Sequence, residues 1–174
     1  MKTVIKVLLK DKSVAVPEVT KEGDWIDLRA AEDVKLSVPY SKREHKVEGI
    51  KIRDVAISSQ LINLGIAMKL PAGYEAIVAP RSSTFRNFGV ICANSIGVID
   101  NVYHGNNDIW RFNAIAIDSS TIAKGDRICQ FRIQLSQKAT VWQKIKWLFS
   151  SGIKIKEVSD LGDDNRGMNV TGIK

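Results

Sequence analysis

The chain has 174 residues, of which 44% are hydrophobic, and this combination excludes a disordered protein and allows one domain with a substantial core. Its formal net charge of +7 favours an anionic partner, which could be nucleic acid, a membrane surface or a small phosphate compound. No apolar run approaches the roughly 20 residues of a membrane-spanning helix, and the lysine-interrupted N-terminus reads as a strand rather than a signal peptide. We therefore expect a soluble, cytoplasmic protein.

Short runs rich in valine and isoleucine recur along the chain. In chain order they are KTVIKVLL, DVKLSV, NLGIAMKL, YEAIVA, GVI, NAIAI and ICQFRIQL, and turn residues separate them. Regularly spaced short strands of this kind predict an all-β sandwich or barrel. Cys92 and Cys129 each lie inside an apolar run, so we expect two buried, reduced thiols rather than a disulfide.

Two segments depart from the strand pattern. Residues 38–60 mix charges with isoleucine and valine without a clear period, and we interpret them as an insertion, such as an added hairpin. Residues 138–152 have apolar side chains at helical spacing and three lysines without an acid, which predicts one short helix. Such a helix could lie on the body with its lysines in solvent, or it could bind a membrane surface or a protein partner. The domain is thus expected over residues 1–160, with a flexible arm at 161–174.

Few residues of the chain are candidates for catalysis or for binding a metal or a phosphate. With two histidines and no cysteine pair at ligand spacing, the chain does not predict a protein-caged zinc site, whereas Mg²⁺ needs only one or two carboxylates together with substrate phosphates. No serine–histidine elbow or P-loop is present, so hydrolysis would need a base and a water. The stretch PRSSTF, at residues 80–85, offers an arginine and two hydroxyls to a phosphate, although it could equally be a polar turn.

Five short stretches that follow one another along the chain form a more specific pattern. They read GDWIDLRA, PRSS, NSIGVIDNVYHG, GDRICQF and NRGMNVTG. This series resembles the five motifs of the trimeric deoxyuridine triphosphatases (dUTPases), in particular the form of Gram-positive bacteria and their phages. The resemblance implies a jelly-roll-like β-barrel, a homotrimer, and Mg²⁺-assisted hydrolysis of dUTP to dUMP and pyrophosphate in the cytoplasm of a bacterial cell or a phage-infected host. It leaves the segments 38–60 and 138–152 as insertions.

The third motif would supply the base and the nucleoside pocket. By the resemblance, Asp100 matches the catalytic aspartate that activates the water attacking the α-phosphorus. Tyr103 matches the tyrosine that packs under the deoxyribose and excludes a 2′-hydroxyl. The strand between Asn94 and Ile99, including Gly97, matches the stretch whose backbone reads uracil, with the Asn94 side chain assisting.

The remaining motifs would hold the triphosphate. Their matching residues are Arg81, Ser82, Ser83 and Gln130 around the phosphates, Arg166 on the arm that closes over the γ-phosphate, and Asp27, which touches the magnesium through water. Ser82 is expected near the α–β bridging oxygen, and Arg81 is expected to brace either Asp100 or the phosphates. The last motif departs from the family pattern, because it lacks the aromatic residue that would cover uracil. Trp110 and Phe112 are alternative sources of that cover, unless they pack in the core.

Three other functions stay open at this point. A dUTPase-like binding protein could have exchanged catalysis for regulation, with the basic segment 138–152 as its protein-binding surface. A dCTP deaminase shares the RSS motif and the aspartate hairpin, but it needs a glutamate where this chain has Trp110. A nucleic-acid-binding barrel is not favoured, because the lysines do not alternate with aromatic residues on one strand face. The expected partners are therefore dUTP, further copies of the chain and a protein that binds the insertions, but not a membrane.

Overall fold

A computed structural model describes residues 2–21, 23–37, 43–54 and 59–162. Over these ranges the strands are β1 (Thr3–Leu9), β2 (Ile26–Arg29), β3 (Val34–Leu36), β4 (Arg43–Val47), β5 (Ile50–Asp54), β6 (Gln60–Lys69), β7 (Tyr74–Pro80), β8 (Val90–Cys92), β9 (Gly97–Ile99), β10 (Ile109–Ala116), β11 (Ser120–Ile122), β12 (Arg127–Leu135) and β13 (Ile153–Glu157). The helices there are α1 (Thr84–Phe88) and α2 (Val141–Leu148). The all-β prediction is confirmed.

Two larger sheets form the body of the molecule. One has five strands in the order β13-β1-β6-β10-β8, and the other has four strands in the order β2-β12-β7-β9. The strands of the described residues form these sheets and two small two-stranded ones, and they do not close into a single barrel. β1 and β13 pair in parallel, whereas the other neighbours in the larger sheets are antiparallel.

The core lies between the two larger sheets. Along β10 every second residue is buried, which is the pattern of a strand with one face toward a core. Trp110 of β10 meets Phe131 of β12 edge to face, with ring centroids 5.3 Å apart. Each fully buried side chain of this size contributes about 1.5–3 kcal/mol of hydrophobic stabilisation, so such contacts hold the sheets together.

The seven strand predictions are all matched by strands of the structure. The elements that the sequence patterns did not predict are short. They are β2, β8, β11, β13 and α1, with three to five residues each. The cysteines are both free, as expected, and Cys129 is buried, but Cys92 is only partly so.

The two segments interpreted as insertions also have regular structure. β4 and β5 pair as an antiparallel hairpin within residues 38–60. The helix predicted at 138–152 is present but shorter, because Thr140 forms a capping box with Gln143 and the helix ends at Phe149. No helix among the described residues has the length and apolarity needed to cross a bilayer.

Candidate functional site

The first group of predicted residues meets around one carboxylate. Asp27 accepts a hydrogen bond from Arg81 Nε at Oδ1 (2.7 Å) and another from Arg127 Nη1 at Oδ2 (3.0 Å). Arg81 Nη1 also donates to Ser83 Oγ at 3.3 Å. We call Asp27, Arg81, Ser82, Ser83, Arg127 and Gln130 the arginine cluster. Its two guanidinium groups around one carboxylate leave a net positive site, which suits a phosphate chain.

Strand register explains why this cluster forms. β12 lies between β2 and β7, and Gln130 of β12 is opposite Asp27 on one side and Ala79 on the other. Arg81 directly follows β7, so its side chain reaches Asp27 across the end of β12. The Gln130 side chain donates to the carbonyl oxygen of Pro80 at 3.2 Å. Residues distant in sequence are thereby brought together where β2, β12 and β7 lie side by side, near the end of β7.

A buried threonine fixes the turn that carries Arg81 and the two serines. The Thr84 hydroxyl accepts a hydrogen bond from Arg81 N (2.9 Å) and donates one to the carbonyl oxygen of Ile128 (2.8 Å). Thr84 is fully buried, and Ser82 at the tip of the turn is exposed. These hydrogen bonds therefore attach the turn to β12, while Ser82 stays accessible to a ligand.

A cleft opens beside the arginine cluster. Its volume is about 210 Å³, and its lining includes Trp25, Asp27, Arg29 and Arg127. Arg29 Nη1 donates to the carbonyl oxygen of Gly125 at 2.7 Å, which holds its side chain across the turn before β12. The lining also includes Glu18, so its two acids balance its two arginines, and the cleft by itself does not select an anion.

The second group of predicted residues lies on the turn between β9 and β10. Asp100 is exposed, and its Oδ1 accepts a hydrogen bond from Asn101 N at 2.9 Å. The Asn101 side chain donates to the carbonyl oxygens of Leu70 (3.1 Å) and Pro71 (2.8 Å), which ties this turn to the end of β6. The carboxylate therefore stands in solvent on an anchored backbone. We call Asn94, Gly97, Ile99, Asp100 and Tyr103 the hairpin cluster.

Tyr103 is fixed at both ends. Its backbone N–H donates to the carbonyl oxygen of Asp100 at 3.0 Å, and its hydroxyl donates to the carbonyl oxygen of Ile109 at 3.0 Å. Burial, followed by the charge of Asp108, raises the pKa of the Tyr103 hydroxyl, so this group stays neutral. A neutral, immobile ring provides shape rather than acid–base chemistry.

The strand that leads to Asp100 lies at a sheet edge. β9 pairs with β7 alone among the described strands, so the backbone groups on its other side are not part of a ladder. Gly97 and Ile99 lie on this strand, and Asn94 lies in the turn before it, where its Oδ1 accepts from Asn113 Nδ2 at 3.3 Å. Such an edge can pair with the donors and acceptors of a planar base.

The two clusters do not meet within one chain. In the β7–β9 ladder Ile99 lies opposite Ala76, so Asp100 lies near the start of β7, whereas Arg81 follows its end. Arg81 lies five positions after Ala76, which corresponds to about 16 Å at 3.3 Å per residue. Within this chain Arg81 accordingly contacts Asp27 and not Asp100, and its expected role at the phosphates stays a prediction.

The described residues contain no group of three histidine, cysteine or acidic side chains that could cage a metal ion. Asp27 is the predicted metal-contacting residue, and both of its oxygens already accept from arginines. Its side chain is 30% exposed. This arrangement fits a contact with Mg²⁺ through coordinated water better than direct coordination.

Some expectations change with the structure. Trp110 and Phe112 are buried in the core, so neither covers a base from its own chain. Arg127 and Thr84 are members of the site that were not predicted, although both lie inside the quoted motifs, because their contacts depend on the strand register. Arg166 lies outside the described residues.

Comparison with known proteins agrees with this arrangement of motifs. The family model for dUTPase matches residues 51–146. The SPbeta prophage-derived deoxyuridine 5′-triphosphate nucleotidohydrolase YosS of Bacillus subtilis (strain 168) is 44% identical, over 94% of this chain and 93% of its own length. The chain belongs to the dUTPase family. The deoxyuridine 5′-triphosphate nucleotidohydrolase of Hydrogenobaculum sp. (strain Y04AAS1) is 30% identical over 100% of both chains.

Solved dUTPase structures share the fold. The dUTPase from phage phi11 of S. aureus, solved as a mutant with a structural Mg(II) ion, has a TM-score of 0.58 at 18% identity and covers 79% of this chain and 94% of its own. A Staphylococcus bacteriophage 80alpha dUTPase mutant solved with dUpNHpp has a TM-score of 0.58 at 19% identity and covers 79% and 93%. At this level of identity the similarity establishes the dUTPase fold for the chain.

Proposed function

We propose that this protein is a dUTP diphosphatase, which converts dUTP and water to dUMP and pyrophosphate. Its membership of the dUTPase family, with 44% identity to a prophage deoxyuridine 5′-triphosphate nucleotidohydrolase, carries this proposal. The exposed carboxylate on an anchored turn and the cationic phosphate-side cluster supply the two parts that such a reaction requires.

In the proposed reaction Asp100 acts as the general base. Its exposed carboxylate takes a proton from a water, whose oxygen attacks the α-phosphorus while the bond from that phosphorus to the α–β bridging oxygen breaks. The carboxylate oxygen of a base must lie within about 3 Å of the water oxygen whose proton it removes. The hydrogen bonds around Asn101 and Tyr103 hold the turn in place for this contact. Pyrophosphate leaves with the electrons of the broken bond.

The hairpin cluster would also select the nucleoside. Backbone groups of β9, at Gly97 and Ile99, are proposed to pair with uracil, and the Asn94 side chain assists them. A site built to pair with one base edge rejects bases whose donors and acceptors differ, because buried polar groups would stay unpaired. Tyr103, fixed by its hydroxyl, is proposed to pack against deoxyribose and exclude a 2′-hydroxyl.

The arginine cluster would hold the triphosphate. Ser82 is exposed at the tip of its turn and is proposed to contact the α–β bridging oxygen, while Ser83, Arg81 and Gln130 surround the phosphates. Arg166, outside the described residues, is proposed to reach the γ-phosphate. When Mg²⁺ is bound it neutralises triphosphate charge, and Asp27 is placed to accept hydrogen bonds from the water around the ion.

The separation of the two clusters favours a site shared between copies. With Asp100 and Arg81 at opposite ends of β7, a single chain cannot place its own base beside a phosphate held by its own arginine cluster. We therefore propose a homotrimer in which the hairpin cluster of one copy completes the arginine cluster of its neighbour. Leu61, Ile91 and Ile117 are exposed apolar side chains on or next to the five-stranded sheet, and they could line such a contact.

A pyrophosphate-release assay with dUTP and Mg²⁺ tests the function. We expect Asp100→Asn to lower turnover by about 10²–10⁴-fold, the usual contribution of a general base, while nucleotide binding by calorimetry stays close to that of the parent. A variant with near-normal turnover would contradict the base assignment. A parent protein that binds dUTP but releases no pyrophosphate would instead indicate a binding protein of the same family.

A further inference from the structure

Helix α2 has an apolar face that points away from the body of the protein. The exposed fractions are 70% for Val141, 73% for Trp142, 38% for Ile145, 77% for Leu148 and 75% for Phe149. At about 100° per residue these five side chains cover about 120° of the helix circumference, so they form one continuous stripe. Monomeric proteins seldom expose a contiguous apolar patch of this kind without using it.

The opposite face of α2 is fixed to the body. Trp147 packs edge to face on Tyr74, with ring centroids 5.4 Å apart. The side chain of Gln143 lies over Gly73, where even a Cβ would have no space, and Gln143 also closes the capping box with Thr140. These contacts set the orientation of the helix, in which its apolar stripe is presented to solvent.

Positive charge borders the stripe on both sides. Lys144 and Lys146 are exposed, and on the helical wheel they lie about 40° beyond its two edges. No acidic residue is present in α2, and Lys138 is exposed just before the helix. A second copy of the same face would bring these lysines together, so charge disfavours self-association and favours an occupant with an acidic border.

We propose that α2 is a docking site for an acidic amphipathic helix of another protein. Trp142, Ile145 and Phe149 have the i, i+3, i+7 spacing of a helix–helix seam, and exposed tryptophan is a frequent anchor of interfaces. The helix is about 12 Å long, and its fixed orientation lowers the entropic cost of binding a shaped partner. The strength with which an amphipathic helix binds a lipid surface scales with the apolar area it buries, and the eight residues of α2 offer little such area.

A designed peptide tests this proposal on the full-length protein. The probe is a three-heptad helix with leucine at the core positions and glutamate at the flanking positions, and its counterpart carries lysine at those flanking positions. By fluorescence anisotropy we expect the acidic peptide to bind, more weakly as salt rises, and the basic one not to bind. The double variant Trp142→Ser/Phe149→Ser should weaken binding at least tenfold, and Lys144→Glu/Lys146→Glu should reverse the peptide preference.

The matched control is Ile50→Ser, which removes an exposed apolar side chain from the β4–β5 hairpin and should leave peptide binding unchanged. All variants should retain dUTP turnover, because α2 contains no residue of either cluster. The proposal is overturned if the acidic peptide fails to bind or if its binding survives the double variant. It is also overturned if vesicles of phosphatidylglycerol and phosphatidylcholine bind through α2 more tightly than the peptide, or if the double variant changes the oligomeric state in analytical ultracentrifugation.

Discussion

Among single residues, Asp27 organises the arginine cluster. Its two carboxylate oxygens orient Arg81 and Arg127, which come from different strands or strand ends. Because these side chains are partly exposed, their ion pairs contribute little to folding, about 0–1 kcal/mol each. Their effect is on geometry, since a guanidinium held at a known position can meet a phosphate without further ordering.

We expect Asp27→Asn to lower dUTP turnover while the free energy of unfolding stays nearly unchanged. The amide has no charge to hold two guanidinium groups, so Arg81 becomes mobile and turnover of dUTP should fall by about tenfold or more. The free energy of unfolding in urea should fall by less than about 1 kcal/mol. Asp24→Asn, which changes an exposed acid three residues earlier, is the control and should retain parental turnover. Equal activity of the two variants would show that the cluster does not depend on Asp27.

Burial of Cys129 makes stability depend on pH in the alkaline range. Desolvation raises the pKa of this thiol well above its ordinary value of 9.0. The folded chain therefore keeps a proton that the unfolded chain releases, and the free energy of unfolding falls as pH rises through 9, by up to about 1.4 kcal/mol per pH unit. Urea unfolding between about pH 8 and 10 should show a smaller slope for Cys129→Ala than for the parent. Equal slopes for the two proteins would contradict the prediction.

At the scale of elements, the turn after β7 depends on one hydroxyl. Thr84→Val has nearly the same shape but leaves Arg81 N and the carbonyl oxygen of Ile128 without their bond, a loss of about 1–3 kcal/mol. We expect a lower urea midpoint together with lower dUTP turnover, because Ser82 is on the same turn. Thr84→Ser keeps the hydroxyl and should retain most of both properties. A valine variant with parental turnover would mean that the turn holds its shape by other contacts.

The elements that sequence patterns predicted are those whose signal is local. Strands such as β10 and β12 have alternating or continuous apolar runs, and the capping box of α2 is readable from Thr140 and Gln143. β13 was missed because IKIKE is a short, lysine-rich run that becomes a strand only by pairing with β1, about 150 residues away. The same limit applies to α2: helical spacing predicts which side chains share a face, but not that Trp147, on the other face, provides the contact with the body.

The site residues show a similar division. Motif order was enough to nominate Asp100, Tyr103, Arg81 and Gln130. It could not show that Arg127 joins Arg81 on Asp27, because that contact depends on the lateral order β2-β12-β7. Nor could it show that Asp100 and the arginine cluster lie at opposite ends of one strand, since distance in sequence does not determine distance in a sheet.

For the whole molecule, this separation has a consequence for assembly. Suppose that each active site takes the hairpin cluster from one copy and the arginine cluster from its neighbour. A copy with a mutation in one cluster can then still contribute its other, intact cluster to a second active site. A closed, cyclic trimer places every copy between two neighbours, so each copy contributes to two different sites. In this arrangement hydrolysis requires an interface between two copies, and a single chain is inactive.

Co-expression of two inactive variants tests this arrangement. Asp100→Asn lacks the base and Ser82→Ala lacks a phosphate contact, and each alone should form inactive trimers. In every mixed trimer one site in three pairs an intact Ser82 with an intact Asp100. Random assembly of equal amounts makes about three quarters of the trimers mixed, so co-expression should restore about a quarter of parental turnover. Mixing the purified variants without subunit exchange should restore none and serves as the control. If co-expressed variants stay inactive although mass spectrometry shows mixed trimers, then both clusters act within one chain, and the chain must rearrange to bring Asp100 across the length of β7.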